Sequence, residues 1–230
     1  MRPRRDGRRI CPQGTARRDT AMRIAVIGAG NVGGALTRGL TRTGHAVTVT
    51  ATDPDHASAL ADQTGASAAA TAADAVESAQ AVIIAVPHTA TAGLAGELSG
   101  AVTGKVVIDA TNPVGDQPGR SAVTDRSAAE HLQDALPGAH VVKAFNTVFA
   151  ANQADPVVHG VALDGFYAGD HEPAKQTVRD LLAGLGYRPV DAGPLSAALS
   201  LEHLALLNIS LNARHGWAWR DGWKLVGPTD

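Results

Sequence analysis

From Arg23 onward the chain alternates short apolar runs with longer stretches in which apolar residues return every three or four positions. The runs are residues 24–27, 46–50, 81–86, 106–109, 141–144, 161–167 and 188–191. Several are apolar throughout, as strands covered on both faces must be. Residues 32–43, 55–64, 91–98 and 173–185 carry the helical period, and each is long enough to cross over between two parallel strands. The alternation predicts right-handed βαβ units and so an α/β fold. The expected architecture is a Rossmann-type doubly wound, mainly parallel sheet with helices on both faces and a C-terminal helix.

Local signals place several element ends. Gly186 stands where the 173–185 helix should close. Ser127-Ala128-Ala129-Glu130 has capping-box spacing and predicts a short helix to about Leu136, ahead of Pro137. Residues 195–214 are apolar at helical spacing through Leu199, Leu204, Leu207 and Leu211, which predicts a helix packed on the sheet or on a second subunit. Residues 112–126 are polar, contain Pro113, Gly115, Pro118 and Gly119, and follow a strand. Open α/β sheets bind ligands at such strand ends, so this loop reads either as a lid or as a solvated connection. No repeat or linker divides residues 22–230, which are expected to form one domain.

Composition narrows this picture. Of 230 residues, 44% are hydrophobic and only 3% aromatic, which suits helices close on a buried sheet better than an aromatic β-sandwich. The single cysteine, Cys11, can build neither a disulfide framework nor a thiolate metal site. A reducing cytoplasm is therefore the expected location, and no apolar run reaches the roughly 18 residues of a membrane span. Residues 1–21 hold seven arginines against two aspartates, a net +5, while the rest carries −7 of the chain's −2 total. With no interleaved aromatics, this Arg-rich leader reads as a disordered extension ahead of Met22 rather than a nucleic-acid-binding arm.

The residues after the first strand point to chemistry. Gly28-Ala29-Gly30-Asn31-Val32-Gly33 joins a strand to a helix, and that context turns a weak pattern into a strong one. Gly28 permits the tight turn, Gly30 lets a pyrophosphate approach the backbone, and Gly33 lets the helix lie close to the strand. Bare amides and the helix dipole would hold the anion. A P-loop would require Gly-Lys-Ser/Thr, and the chain has Gly33-Gly34-Ala35. The end of the second strand normally selects between a ribose hydroxyl and a 2′-phosphate. Here it reads Thr50-Ala51-Thr52, with no arginine and with Asp53 past the strand, so NADP and NAD both stay open.

Together with the glycine turn, Val141-Val142-Lys143-Ala144-Phe145-Asn146-Thr147, Arg126-Ser127-Ala128-Ala129-Glu130 and Asp191-Ala192-Gly193-Pro194-Leu195-Ser196 make residues 22 to about 212 resemble the coenzyme F420-dependent NADP oxidoreductase family. The resemblance implies a compact homodimeric Rossmann enzyme that passes a hydride between nicotinamide and a deazaflavin, with no metal. It places pyrophosphate contacts on Ala29, Gly30, Asn31 and Val32 and the nicotinamide beside Val86 and Pro87. It places the deazaflavin near Asn146, Thr147, Pro194 and Leu195. The family's Ser-Arg pair for the 2′-phosphate aligns with Ala51 and Thr52, and its usual histidine before the loop threonine aligns with Asn146.

Hydride transfer asks a protein mainly to stack two rings and exclude water. A carbonyl, imine or enone acceptor would also need a proton donor, and His88, just past the 81–86 strand, is the titratable candidate. Such a reductase, and a non-catalytic dinucleotide sensor, are the alternative readings. Asn112-Pro113 follows a strand and could meet the nicotinamide ribose or carboxamide, or simply form a turn. Trp217, Trp219 and Trp223 crowd the C-terminus, where they are expected to anchor the tail, close the pocket or reach a partner subunit. Glu202-His203 and His171-Glu172 are adjacent pairs that diverge in direction and are not expected to ligate metal.

Overall fold

The computed structural model describes residues 21–115, 120–123 and 125–227. The Arg-rich leader with Cys11 therefore lies outside the described residues, apart from Ala21, as do Pro118 and Gly119 of the 112–126 loop.

The chain begins with β1 (Arg23–Ile27), α1 (Asn31–Arg42), β2 (Ala46–Thr50), α2 (Pro54–Thr64), β3 (Ser67–Ala68), α3 (Ala72–Glu77) and β4 (Ala81–Ile84). It continues through α4 (Thr91–Leu98), β5 (Val106–Asp109), α5 (Ala128–Ala135), β6 (His140–Ala144) and α6 (Ala150–Gln153). The last elements are β7 (Val157–Val158), β8 (Val161–Ala162), β9 (Asp164–Gly169), α7 (Glu172–Leu185), β10 (Arg188–Asp191) and α8 (Ala198–His215). The main sheet has eight strands in the order β10-β9-β6-β5-β4-β1-β2-β3. From β3 to β6 every pairing is parallel, and β9 then joins β6 antiparallel.

Alternate residues of each central strand serve opposite layers, which is why the strands read as unbroken apolar runs. Ile24 and Val26 of β1 pack with Leu36 and Leu40 of α1 on one face. Ala25 and Ile27 pack with Val76 of α3 and Leu98 of α4 on the other. The same alternation puts Val142 among the α1 and α7 side chains and Val141 against Leu132 of α5. Helices thus cover both faces, and the parallel strands present their carboxyl ends in one row. Between β1 and β4 the chain reverses its direction of travel across the sheet, the place where such folds bind ligands.

Four sequence expectations shift. The 161–167 run divides: Val161–Ala162 pairs with Val157–Val158 in a separate hairpin, and the sheet strand starts only at Asp164. Positive φ at His159 (49°) and Gly160 (78°) makes that hairpin turn. The 81–86 strand ends at Ile84, releasing Ala85 and Val86 towards the glycine turn. The C-terminal helix starts at Ala198 after a 3-10 turn at Leu195–Ala197. Finally, β3, α3 and α6 are elements too short for their period to stand out. The capping box is present, and Gly186 closes α7 at φ 102°.

Candidate dinucleotide cleft and neighbouring strand ends

The glycine turn is forced by its surroundings. Gly28 has φ 115°, and a Cβ there would lie 2.4 Å from the Ala85 carbonyl oxygen. A Cβ on Gly33 would lie 1.8 Å from the Gly28 carbonyl oxygen. Gly30 differs, because a Cβ there would meet nothing within 4 Å. Sterics inside the fold thus explain the first and third glycines, while the second leaves backbone bare towards open space.

Helix α1 begins at this turn with no side-chain cap and no acidic residue in its first turn. Helices α2, α3 and α5 are capped by Asp53, Thr71 and Ser127, each with an acidic residue in its first turn, whereas α4, α6, α7 and α8 share with α1 the lack of a side-chain cap. The leading amides of a helix have no intrahelical acceptor and carry the positive end of its dipole. At α1 they face a cleft of about 680 Å³ whose wall includes Gly28, Ala29 and Gly30. Asn31 is exposed, Val32 is half-buried and Gly33 is buried beneath the turn.

The cleft also gathers Thr50, Ala51 and Thr52 from the end of β2, and Val86 and Pro87 from the end of β4. Asp53 belongs to the wall as well, since α2 starts immediately and turns this residue back as its N-cap. His56, Thr71, Leu94 and Glu97 also line the cleft and were not singled out from sequence. The signal for His56 was its place in the first turn after an Asp-Pro cap. His88 opens a 3-10 turn beside the cleft, with its Nδ1 buried and unpartnered.

Asn112 and Asn146 lie one strand and two strands beyond β4, outside the cleft lining, and clasp each other. Asn112 Nδ2 donates to the Asn146 carbonyl at 2.8 Å, and Asn146 Nδ2 donates to Asn112 Oδ1 at 3.0 Å and to the Leu201 carbonyl at 3.0 Å. Pro113 beside them is buried. Phe145 precedes the clasp in a left-handed conformation (φ 66°), and Gln153 Nε2 donates to its carbonyl at 2.6 Å. Asn146 Oδ1, Thr147 Oγ1 and Thr111 Oγ1 are buried without protein partners, so three polar atoms at these strand ends remain to be satisfied.

Beneath the clasp lies a charge cluster that was missed from sequence. Lys143 Nζ, fully buried, donates at 2.8 Å to each of Asp109 Oδ2, the Thr111 carbonyl and Glu202 Oε1. Two carboxylates surround one ammonium. Their remaining lone pairs are met by amides: Thr111 N–H donates to Asp109 at 2.9 Å, and Ala128 N–H, at the start of α5, donates to Glu202 at 3.0 and 3.1 Å. The cluster joins the ends of β5 and β6 to the starts of α5 and α8. Its signal was a lysine inside an apolar strand, which can be buried only with partners. Glu202 is thus committed to Lys143 and Ala128. Among the described residues no group of three or more His, Cys, Asp or Glu side chains could hold a metal ion.

Pro194 is exposed, while Leu195 sends its side chain into the core beside Ile27 and Leu132 and its N–H to Asp170 Oδ1 at 2.8 Å. The tail folds back on the domain. Trp223 packs against Phe166 and Leu201, and Trp219 meets Phe149 edge-on at 5.3 Å. Trp217 stacks on His215 and stays 47% exposed. Buried Asp164 fixes this tail by accepting from Arg188, Lys224 and the Leu225 amide. Burial pushes its carboxyl up, but these donors hold it below the ordinary range.

Residues 23–113 match the profile of a family described as NADP oxidoreductase, coenzyme F420-dependent. The F420-dependent NADP reductase of Methanothermobacter marburgensis is 36% identical over 154 residues, covering 64% of this chain and 68% of that protein. Metalloreductase STEAP3 of Rattus norvegicus is 28% identical over 191 residues, 81% of this chain but 37% of its own length. The crystal structure of a candidate F420-dependent NADP-reductase from Arthrobacter sp. FB24 superimposes with TM-score 0.80 at 29% identity, covering 90% of this chain and all of that one.

Proposed function

Because the chain belongs to the coenzyme F420-dependent NADP oxidoreductase family, we propose that it transfers a hydride between NADP(H) and a deazaflavin, coenzyme F420. The observation that carries this reading is the glycine turn at the start of α1, where bare backbone at Gly30 and leading amides with no side-chain cap open to the cleft. An anionic diphosphate supplies what those amides lack.

In this reading the amides of Ala29, Gly30, Asn31 and Val32 hold the pyrophosphate, with Gly28 and Gly33 shaping the turn. Thr50, Ala51 and Thr52 border the adenosine ribose, and Val86, Pro87 and His88 border the nicotinamide. Asn112 and Pro113 brace its far side, and Asn146 and Thr147 face the deazaflavin, with Pro194 and Leu195 framing the same end. Bound there, the two carriers supply the hydride donor and acceptor, and the chain's own contribution is orientation and exclusion of water. The buried, unsatisfied atoms of Thr111, Asn146 and Thr147 suit this role, since a polar ring edge can complete them.

The family match favours this over a small carbonyl, imine or enone acceptor and over a non-catalytic sensor. We also read residues 22–230 as one domain working in the cytoplasm, in keeping with its lone Cys11. No described helix is long and apolar enough to cross a membrane. Helix α8 supports a homodimer: Leu204 packs inward on Phe166 and Leu201, but Leu207 is 50% exposed with half-buried Leu211 one turn on, a small apolar pair turned outwards.

The test is spectrophotometric. Mixing the protein with oxidised deazaflavin and NADPH should bleach the deazaflavin absorbance and fluorescence, and the reverse mixture should restore them. No turnover in either direction would remove the assignment. Sedimentation at twice the 23.5 kDa chain mass is expected in the same preparation.

A further inference from the structure

The adenosine end of the cleft departs from what a 2′-phosphate requires. Its wall is Thr50, Ala51, Thr52, Asp53 and His56, and no lysine or arginine appears among the cleft-lining residues. A phosphate monoester carries about −1.5 to −2 charges at neutral pH and is normally met by such cations. Arg38 of α1 folds back over Gly34, where an added Cβ would lie 3.7 Å from its guanidinium.

The position is acidic instead. Asp53 Oδ1 accepts the Asp55 amide at 3.0 Å, and its other oxygen lies 3.7 Å from His56 Nε2, so the carboxylate is held at the cleft rim with its side chain 54% exposed. Asp55 adds a second carboxylate in the same turn of α2, and Glu97 of α4 lines the cleft too. A ribose diol donates hydrogen bonds to a carboxylate, whereas a 2′-phosphate beside one is repelled.

Resting on the dinucleotide reading above, we infer that Asp53 determines specificity at the adenosine ribose. Its carboxylate accepts the 2′-hydroxyl of NAD and opposes the 2′-phosphate of NADP, with His56 the one cation-capable side chain on that wall. The enzyme therefore uses both dinucleotides, and the ratio is set at Asp53.

Fluorescence titration of the full chain with NADPH and with NADH, alongside deazaflavin reduction by each, tests this. The wild-type protein should bind the two within about tenfold of each other. Asp53→Asn keeps an oxygen acceptor for the Asp55 amide but removes the charge. It should tighten NADPH about tenfold and weaken NADH about twofold. His56→Gln should act the other way, weakening NADPH about fivefold with NADH unchanged. A Kd ratio for Asp53→Asn that stays within about twofold of wild type overturns the inference while leaving the dinucleotide reading intact. Failure of both nucleotides to bind the wild-type chain removes that reading, and the inference falls with it.

Discussion

Two neighbouring stretches of one sheet edge are built in opposite ways. At the end of β1 the candidate site is made of backbone: three glycines and a helix start with no side-chain cap. Two and three strands away, at the ends of β5 and β6, it is made of side chains: the Asn112–Asn146 clasp above the Lys143–Asp109–Glu202 cluster. A backbone site tolerates change on its surface but not in its turn geometry. A side-chain site depends on partners 34 and 59 residues apart in sequence. The first suits a ligand part that is always the same, a diphosphate. The second suits the polar edge of a ring, because it leaves side-chain atoms of Thr111, Asn146 and Thr147 without protein partners.

The largest expected effect is at the side-chain end. Lys143→Met removes the one cation that, among the described residues, contacts the buried Asp109 and Glu202 carboxylates. Breaking a buried pair from one side costs about 3–5 kcal/mol, and denaturant unfolding should find a loss of that size. Adding Asp109→Asn and Glu202→Gln should recover much of it, because the uncompensated charge is what destabilises. A loss for Lys143→Met below about 1 kcal/mol would mean that water reaches the cluster, and the contrast between the two ends would weaken.

The backbone end gives a smaller but crossed result. At Gly33 a methyl group collides with the Gly28 carbonyl, so Gly33→Ala should cost about 1–3 kcal/mol of stability and distort the turn. At Gly30 the methyl enters open space, so Gly30→Ala should leave stability within about 0.5 kcal/mol. It should still weaken dinucleotide binding about tenfold by standing between amides and phosphate. Thermal melts paired with nucleotide titrations separate the two. Equal melting losses for both variants would show that Gly30 is structural as well.

The same contrast explains what could be read from the chain. The β1 turn, the α5 capping box and Gly186 after α7 are local, each specified within a few residues, and they stand as read. The antiparallel attachment of β9 was not legible, because nothing within Asp164–Gly169 specifies which way it meets β6. Asp53 does lie past the end of β2, and its place in the cleft wall follows from α2 starting at once and taking it as N-cap, which spacing along the strand does not reveal. Lys143 was legible in principle, as a charge in an apolar run, but Asp109 and Glu202 became its partners only through the fold.

The smallest effect sharpens the boundary between the two ends, at the start of α5 where the charge cluster stops. Ser127 Oγ accepts the Glu130 amide at 3.1 Å and donates to Glu130 Oε2 at 2.8 Å, and the Ser127 amide donates to the same oxygen at 2.9 Å. Burial pushes the Glu130 carboxyl up, but these two donors and Arg126 bring it below its ordinary 4.5. A carboxyl with a depressed folded pKa adds stability above its unfolded value, and loses it as pH falls through the lower folded one. Ser127→Ala should therefore cost about 1 kcal/mol at neutral pH, and the gap from wild type should narrow on acidification below about pH 4. It should not close, since the hydroxyl still accepts the Glu130 amide when the carboxyl is protonated. Thermal melts at pH 7 and pH 3 measure both parts. A gap that is the same at the two pH values would assign the whole effect to the hydroxyl capping the Glu130 amide, leaving the Glu130 carboxylate no charge-dependent share in it.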